Sequence, residues 1–205
     1  TCFETKGRSA HSGLAHLGNN AIHTMCRFIM EYQKLPYLQV ENPYFGKCTL
    51  NFERIQGGLY LSAVPDKCIA WVDSRLIPET PPELVQKQVD DLMDRMNRDY
   101  NAGIRENVPK SDWRPGDFKL KVEAIPADAP LTKRVAKAVE VATGDAAKIT
   151  ACPAITIAMV LIEMGIPAII CGPGSIEQAH TEDEWCEVAQ IPKAARIYTA
   201  LMAEM

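Results

Sequence analysis

The chain has no CxxC pair, no excess of positive charge and no long apolar run, and each absence removes a class of function. Its seven cysteines (Cys2, Cys26, Cys48, Cys68, Cys152, Cys171 and Cys186) are odd in number and scattered. They read as reduced thiols of a cytoplasmic protein, not as a disulfide framework or a structural zinc knuckle. Lys and Arg total 22 against 26 Asp and Glu, a formal net charge of −4. Nucleic-acid binding leaves a basic footprint, and none is present. The longest apolar stretch, residues 154–161, contains Thr156 and is soon followed by Glu163 and Gly165, so no membrane span is expected. No basic-then-apolar leader opens the chain, so no secretory signal is expected either.

What is present is an ordinary globular composition. The 205 residues are 47% hydrophobic and 23% charged, enough for a core that needs no staple. Charge is uneven: the first 125 residues are neutral and the remainder carries the whole −4. Much of it lies in Glu177, Glu182, Asp183, Glu184 and Glu187, with no Lys or Arg among them. That stretch is either a solvated acidic surface or a place that holds a cation.

The first part reads β-α-β-β-α-β. A strand is expected over residues 2–7, then a helix over 19–34 with Ile22, Met25, Ile29 and Tyr32 at three- and four-residue spacing. Asn19 or Asn20 can cap it, and Pro36 closes it. Extended runs follow at 48–55 and 67–76. Thr80-Pro81-Pro82-Glu83 predicts a capping box opening a helix that buries Val85, Val89, Leu92 and Met96. Residues 101–116 read as a loop, and the alternation over 118–123 as a half-buried strand. The order suggests a ferredoxin-like split β-α-β sandwich over residues 1–124.

Residues 125–205 differ. Leu131, Val135 and Val139 mark a helix ended by Gly144; a short strand is expected near 148–151, a buried helix over 153–164, and a continuous apolar strand over 167–171. A last helix spans 192–205, its buried stripe marked by Ala194, Ile197, Tyr198 and Leu201. Two strands and three helices are too few for a doubly wound sheet. This part is expected to be the tail of a larger α/β domain. The fold class is therefore α/β, an α+β sandwich followed by an α/β portion.

Three stretches carry chemistry. Gly172-Pro173-Gly174 follows the apolar run and leads to His180-Thr181-Glu182-Asp183-Glu184. Such a turn brings backbone close to a ligand and can offer N–H groups to an anion, and His beside carboxylates has the composition of a metal site; a surface His is the plainer reading. His11 lies among small residues in Gly7-Arg8-Ser9-Ala10-His11-Ser12-Gly13, open to a ligand or simply to solvent. Asp73 and Arg75 are two apart on a strand and share a face, as a structural ion pair does. Cys171 with His180 is a weaker alternative, a cysteine hydrolase, since a Cys ending an apolar strand reads as an inert thiol. His16 and His23, seven apart, read as surface or half-buried residues.

The ordered set Gly7-Arg8-Ser9-Ala10-His11-Ser12, Leu17-Gly18-Asn19-Asn20, Gln56-Gly57-Gly58, Val64-Pro65-Asp66, Asp73-Ser74-Arg75 and His180-Thr181-Glu182-Asp183-Glu184 resembles the dinuclear zinc amidohydrolases that include acetylornithine deacetylase, succinyl-diaminopimelate desuccinylase, aminoacylase-1 and carboxypeptidase G. The resemblance covers nearly the whole chain. It implies a lid domain that forms a homodimer, inserted into a catalytic domain holding two zinc ions. It implies that His180 is a zinc ligand and that His11 reaches the partner subunit's active site to polarise the scissile carbonyl. Arg75 would bind the substrate carboxylate, and Gly174 would line the substrate site. The substrate would be an N-acyl amino acid or small peptide, on the pattern of acetylornithine.

There are departures. Ser62 stands where the family usually has Asn, so that substrate contact is altered. Thr150-Ala151-Cys152-Pro153 lacks the family's Asp. No His-x-Asp or Glu-Glu motif occurs, so the catalytic Glu and the other zinc ligands are missing. The chain is thus expected to be the C-terminal half of the enzyme, inactive alone. The alternative is a non-catalytic dimerisation or regulatory module derived from that family.

Overall fold

Four of the five residues of strand β1 (Cys2–Lys6) are buried, which puts it at the centre of its sheet. The computed structural model describes residues 1–106, 124–154 and 156–203. The chain divides into two compact units, Thr1–Lys119 and Leu120–Met205.

The first unit continues from β1 through helix α1 (Ala21–Tyr32), a small hairpin of β2 (Glu41–Asn42) and β3 (Gly46–Lys47), and the long strands β4 (Thr49–Gly57) and β5 (Lys67–Arg75). Helix α2 (Pro82–Tyr100) and strand β6 (Ile104–Glu106) complete it. The sheet order is β4-β5-β1-β6 with every neighbouring pair antiparallel. That is the order of the ferredoxin-like sandwich read from the sequence. The fourth strand comes earlier than expected. Ile104–Glu106 lies in the stretch read as a loop, because three residues are too few to show a period. Asn101 and Gly103, both at positive φ, turn the chain sharply out of α2 into it. The strand expected over 118–123 lies outside the described residues.

Helix α1 starts where Asn20 caps it, its Oδ1 accepting from the N–H groups of Ile22 (2.9 Å) and His23 (3.2 Å). It buries Ala21, Met25, Phe28 and Tyr32, while Ile22 and Ile29 are half-buried. Tyr32 is the hub of an aromatic core. Its ring meets Phe3 at 5.7 Å, Phe28 at 5.6 Å, Phe52 at 5.7 Å and Tyr37 at 6.4 Å, all edge-on. Val85, Val89, Leu92 and Met96 of α2 close this core, as their spacing predicts. The helix does not begin with the expected capping box. Thr80 is fully buried, and its hydroxyl accepts from the Ile77 N–H (3.2 Å) and donates to the Ile77 carbonyl (3.1 Å). A buried hydroxyl takes the nearest backbone partners, and here they belong to the preceding turn.

The connection from β1 to α1 is stitched by backbone bonds. Gly7 N–H donates to Asp66 O (2.8 Å), Arg8 and Asn19 exchange bonds of 2.9 Å, and Ala21 N–H donates to Pro65 O (2.8 Å). A Cβ on Gly7 would lie 2.0 Å from Asn19 O.

In the second unit, helices α3 (Pro130–Thr143) and α5 (Gln190–Ala203) pack together, with the shorter α4 (Ile157–Glu163) between them in sequence. Two expectations fail here. The strands expected at 148–151 and 167–171 do not form: no residue of either stretch joins a ladder, and Ile170 is 54% exposed. A strand needs a partner, and none is present for this one. The helix expected over 153–164 shrinks to α4, and Ile157 is 71% exposed, not buried.

Two substitutions test this fold. Tyr32→Ala is expected to destabilise the first unit by about 3–5 kcal/mol, the range for removing a large buried aromatic, measured by urea unfolding. Gly7→Ala is expected to cost about 1–3 kcal/mol or more, since the obstruction is backbone and cannot rotate away.

Candidate functional site

His11 sits where the chain leaves β1, capping a 3₁₀ turn over Ser12–Leu17. A second loop, between β4 and β5, runs beside it. His11 and Ala63 form an antiparallel bridge, Ser12 N–H donates to Ser62 O (2.9 Å), and Val64 N–H donates to Ala10 O (2.8 Å). The structure therefore brings together His11 and Ser62, two residues singled out in the sequence. The imidazole is fixed by its own turn: Nδ1 accepts from the Gly13 N–H at 3.1 Å. In the neutral ring, that bond leaves the proton on Nε2. His11 is exposed, so the Nε2–H is available to a ligand. Gly13 was named in the sequence among the small residues around His11, but its bond to the ring was not foreseen.

Arg75 is elsewhere. It ends β5, opposite Thr49, and its Nε donates to Asp73 Oδ2 at 2.7 Å. Both side chains are about 40% exposed, so the pair is a partly solvated structural ion pair of small net worth. The His11 bridge lies at the other end of β5, just before Lys67. Eight residue steps of strand separate the two ends, about 26 Å at the usual rise. A small substrate held at His11 does not reach Arg75 of the same protomer.

The C-terminal candidates lie in the second unit. Gly174 has φ +100, a conformation that favours glycine, and its N–H donates to Gln190 Oε1 at 2.7 Å. That N–H is used internally and is not offered to an anion. Tyr198 donates to Cys171 O at 2.7 Å, which ties the loop to α5. His180 is exposed and stands at φ +63, and its backbone N–H donates to Glu184 Oε2 at 3.1 Å. Glu182 and Asp183 beside it are exposed, as a solvated acidic surface is. Among the described residues, no three His, Cys, Asp or Glu side chains come together as a metal site. The donors present do not by themselves fit a zinc ion.

Cys171 gives no support to cysteine catalysis. Burial pushes its thiol above the ordinary cysteine range, the opposite of an activated nucleophile. Burial likewise pushes Cys68 up to about 11. His16 and His23 are both exposed, in line with the surface reading. His23 joins Asn19, Asn20, Thr24, Arg27 and Val64 in lining a shallow groove of about 250 Å³.

Known proteins resemble the chain in sequence and in fold. The peptidase dimerisation domain matches residues 3–101, and the peptidase family M20/M25/M40 matches residues 53–204. An N-formyl-4-amino-5-aminomethyl-2-methylpyrimidine deformylase from Halalkalibacterium halodurans is 27% identical over 91% of this chain and 46% of its own length. An acetylornithine deacetylase from Myxococcus xanthus is 26% identical over 98% of this chain and 50% of its own. In fold, the chain is similar to an M20 family metallo-carboxypeptidase from Sulfolobus solfataricus, with TM-score 0.65 and 14% identity over 98% of this chain and 57% of that one. The chain spans about half the length of the curated relatives it matches. With a family model matching about three quarters of its residues, the chain belongs to the peptidase family M20/M25/M40.

Proposed function

We propose that this chain is the lid and C-terminal portion of a zinc-dependent amidohydrolase that cleaves the amide bond of an N-acyl amino acid or small peptide. The observation that carries the reading is the fixed imidazole of His11, its Nδ1 engaged by Gly13 and its Nε2–H left for a ligand. A preorganised N–H donor is what a developing oxyanion needs, and it requires no reorganisation during the reaction. Ser62 stands beside it on the bridged loop, its hydroxyl shorter than the amide usual in the family. The family relationship and the kinds of relatives matched support the amide-cleaving class.

Zinc, when bound in this family, supplies activated water and polarises the carbonyl. This chain contributes His180 as its one proposed ligand. His11 donates to the oxyanion, Arg75 holds the substrate carboxylate with its planar fork, and Gly174 lines the substrate cleft. The separation of about 26 Å along β5 favours a homodimer in which His11 and Arg75 of one protomer serve different active sites. The dimerisation-domain match supports the same arrangement. The seven free thiols favour a cytoplasmic setting.

Three outcomes are expected. The purified 205-residue chain hydrolyses no N-acyl amino acid, and measurable zinc-dependent release of free amine by it would refute the half-enzyme reading. In the intact enzyme, this chain together with its metal-bearing half, His11→Ala lowers kcat by about 10²–10³ with little change in KM, the pattern for losing an oxyanion donor. Mixing His11→Ala and Arg75→Ala protomers recovers about a quarter of normal activity, because half of the dimers then carry one intact site. No recovery on mixing would place both residues in one protomer's site.

A further inference from the structure

Leu59, Tyr60 and Leu61 form the tip of the loop between β4 and β5, and they are 89%, 77% and 105% exposed. Single exposed apolar residues are ordinary, but three large ones in succession at a loop tip call for a ligand or partner. The base of this loop is held firmly. A Cβ on Gly57 would lie 2.9 Å from Ile22 and 3.0 Å from the Cys68 sulfur. On the far side, Ser62 O accepts from Ser12, and Ala63 is bridged to His11. The tip is thus three apolar side chains held in water directly before Ser62 and beside the His11 turn. Leu14 and Leu17, both half-exposed, add apolar surface from that turn. Residues 57–65 contain no charged side chain.

We propose that Leu59, Tyr60 and Leu61 are the specificity element of the His11 site, an apolar wall that selects substrates with an apolar acyl group or side chain. The inference rests on His11 being the carbonyl-polarising group. A protruding tip encloses nothing by itself, so it forms one wall of a composite cleft that the metal-bearing half completes. A cationic side chain such as that of acetylornithine finds no carboxylate on this wall, and desolvating its charge there is unfavourable. An apolar group instead gains by leaving water. The relevant substrates are therefore N-acyl derivatives of aliphatic or aromatic amino acids.

The test compares kcat/KM of the intact zinc-loaded enzyme on N-acetylmethionine and N-acetylornithine, before and after the paired substitution Leu59→Ser with Leu61→Ser. Both side chains are solvent-exposed, so the fold is expected to survive, and circular dichroism checks it. The wild type is expected to favour N-acetylmethionine. The variant is expected to lose about tenfold in the ratio of the two kcat/KM values, the scale of apolar discrimination in a binding pocket. An unchanged ratio, or equal loss on both substrates, overturns the assignment. So does conversion of a dimer to monomer by light scattering, which would make the tip a docking surface between copies. A wild-type enzyme that hydrolyses neither substrate nor any other N-acyl amino acid overturns the amidohydrolase reading itself, and this inference falls with it.

Discussion

At Gly7, three backbone segments come together: the end of β1, the residues before α1, and the residues before β5. A Cβ there would stand 2.0 Å from the Asn19 carbonyl oxygen, a separation no side-chain atom can occupy. The backbone bonds that hold the His11 loop start from this close approach. The Arg8–Asn19 pair closes the loop against itself, and the bridge from His11 to Ala63 closes it against its neighbour. A loop of this length without such bonds would sample many conformations, each lost entropically on binding. The glycine makes a rigid element from what the sequence presents as a string of small and polar residues.

Below that loop, the sandwich does two things at once. The aromatic cluster around Tyr32 fixes α1 against the sheet, and Asn19, just before the cap of α1, pairs with Arg8 of the loop. Packing and positioning are thus the same contacts viewed from two ends. The sheet face away from the helices is also covered: Glu4 is buried and pairs with Lys67 at 2.7 Å, and the Arg54 guanidinium lies 4.9 Å from the centre of the Trp71 ring. Strand β1 is therefore covered on both sides and leaves little freedom for the loop that leaves it.

The legible parts of the sequence were those whose physics is local. The period of Val85, Val89, Leu92 and Met96, the cap at Asn20 and the extended run over 67–76 each follow from neighbouring residues, and each appears in the fold. What was not legible depended on distant partners. Thr80 reads as a cap until its burial against Cys48 and Ile77 is known. Residues 167–171 read as a buried strand, but burial and ladder bonds both require a sheet, and the described residues of the second unit supply none. At the candidate site, His11 and Ser62 are 51 residues apart in sequence, and only the bridge between their loops brings them together. Gly174 could be recognised as a turn residue, whereas the capture of its N–H by Gln190 could not.

Strand β5 has a further consequence. It holds the loop that carries Ser62 beyond one end of a nearly inextensible rod and Arg75 at the other, with hydrogen bonds to β4 and β1. Within one protomer, residues so far apart have independent effects on its folding free energy. A change at position 62 therefore leaves the stability contributed around position 75 untouched. Any coupling between the two runs through a substrate shared across the dimer, not along the strand.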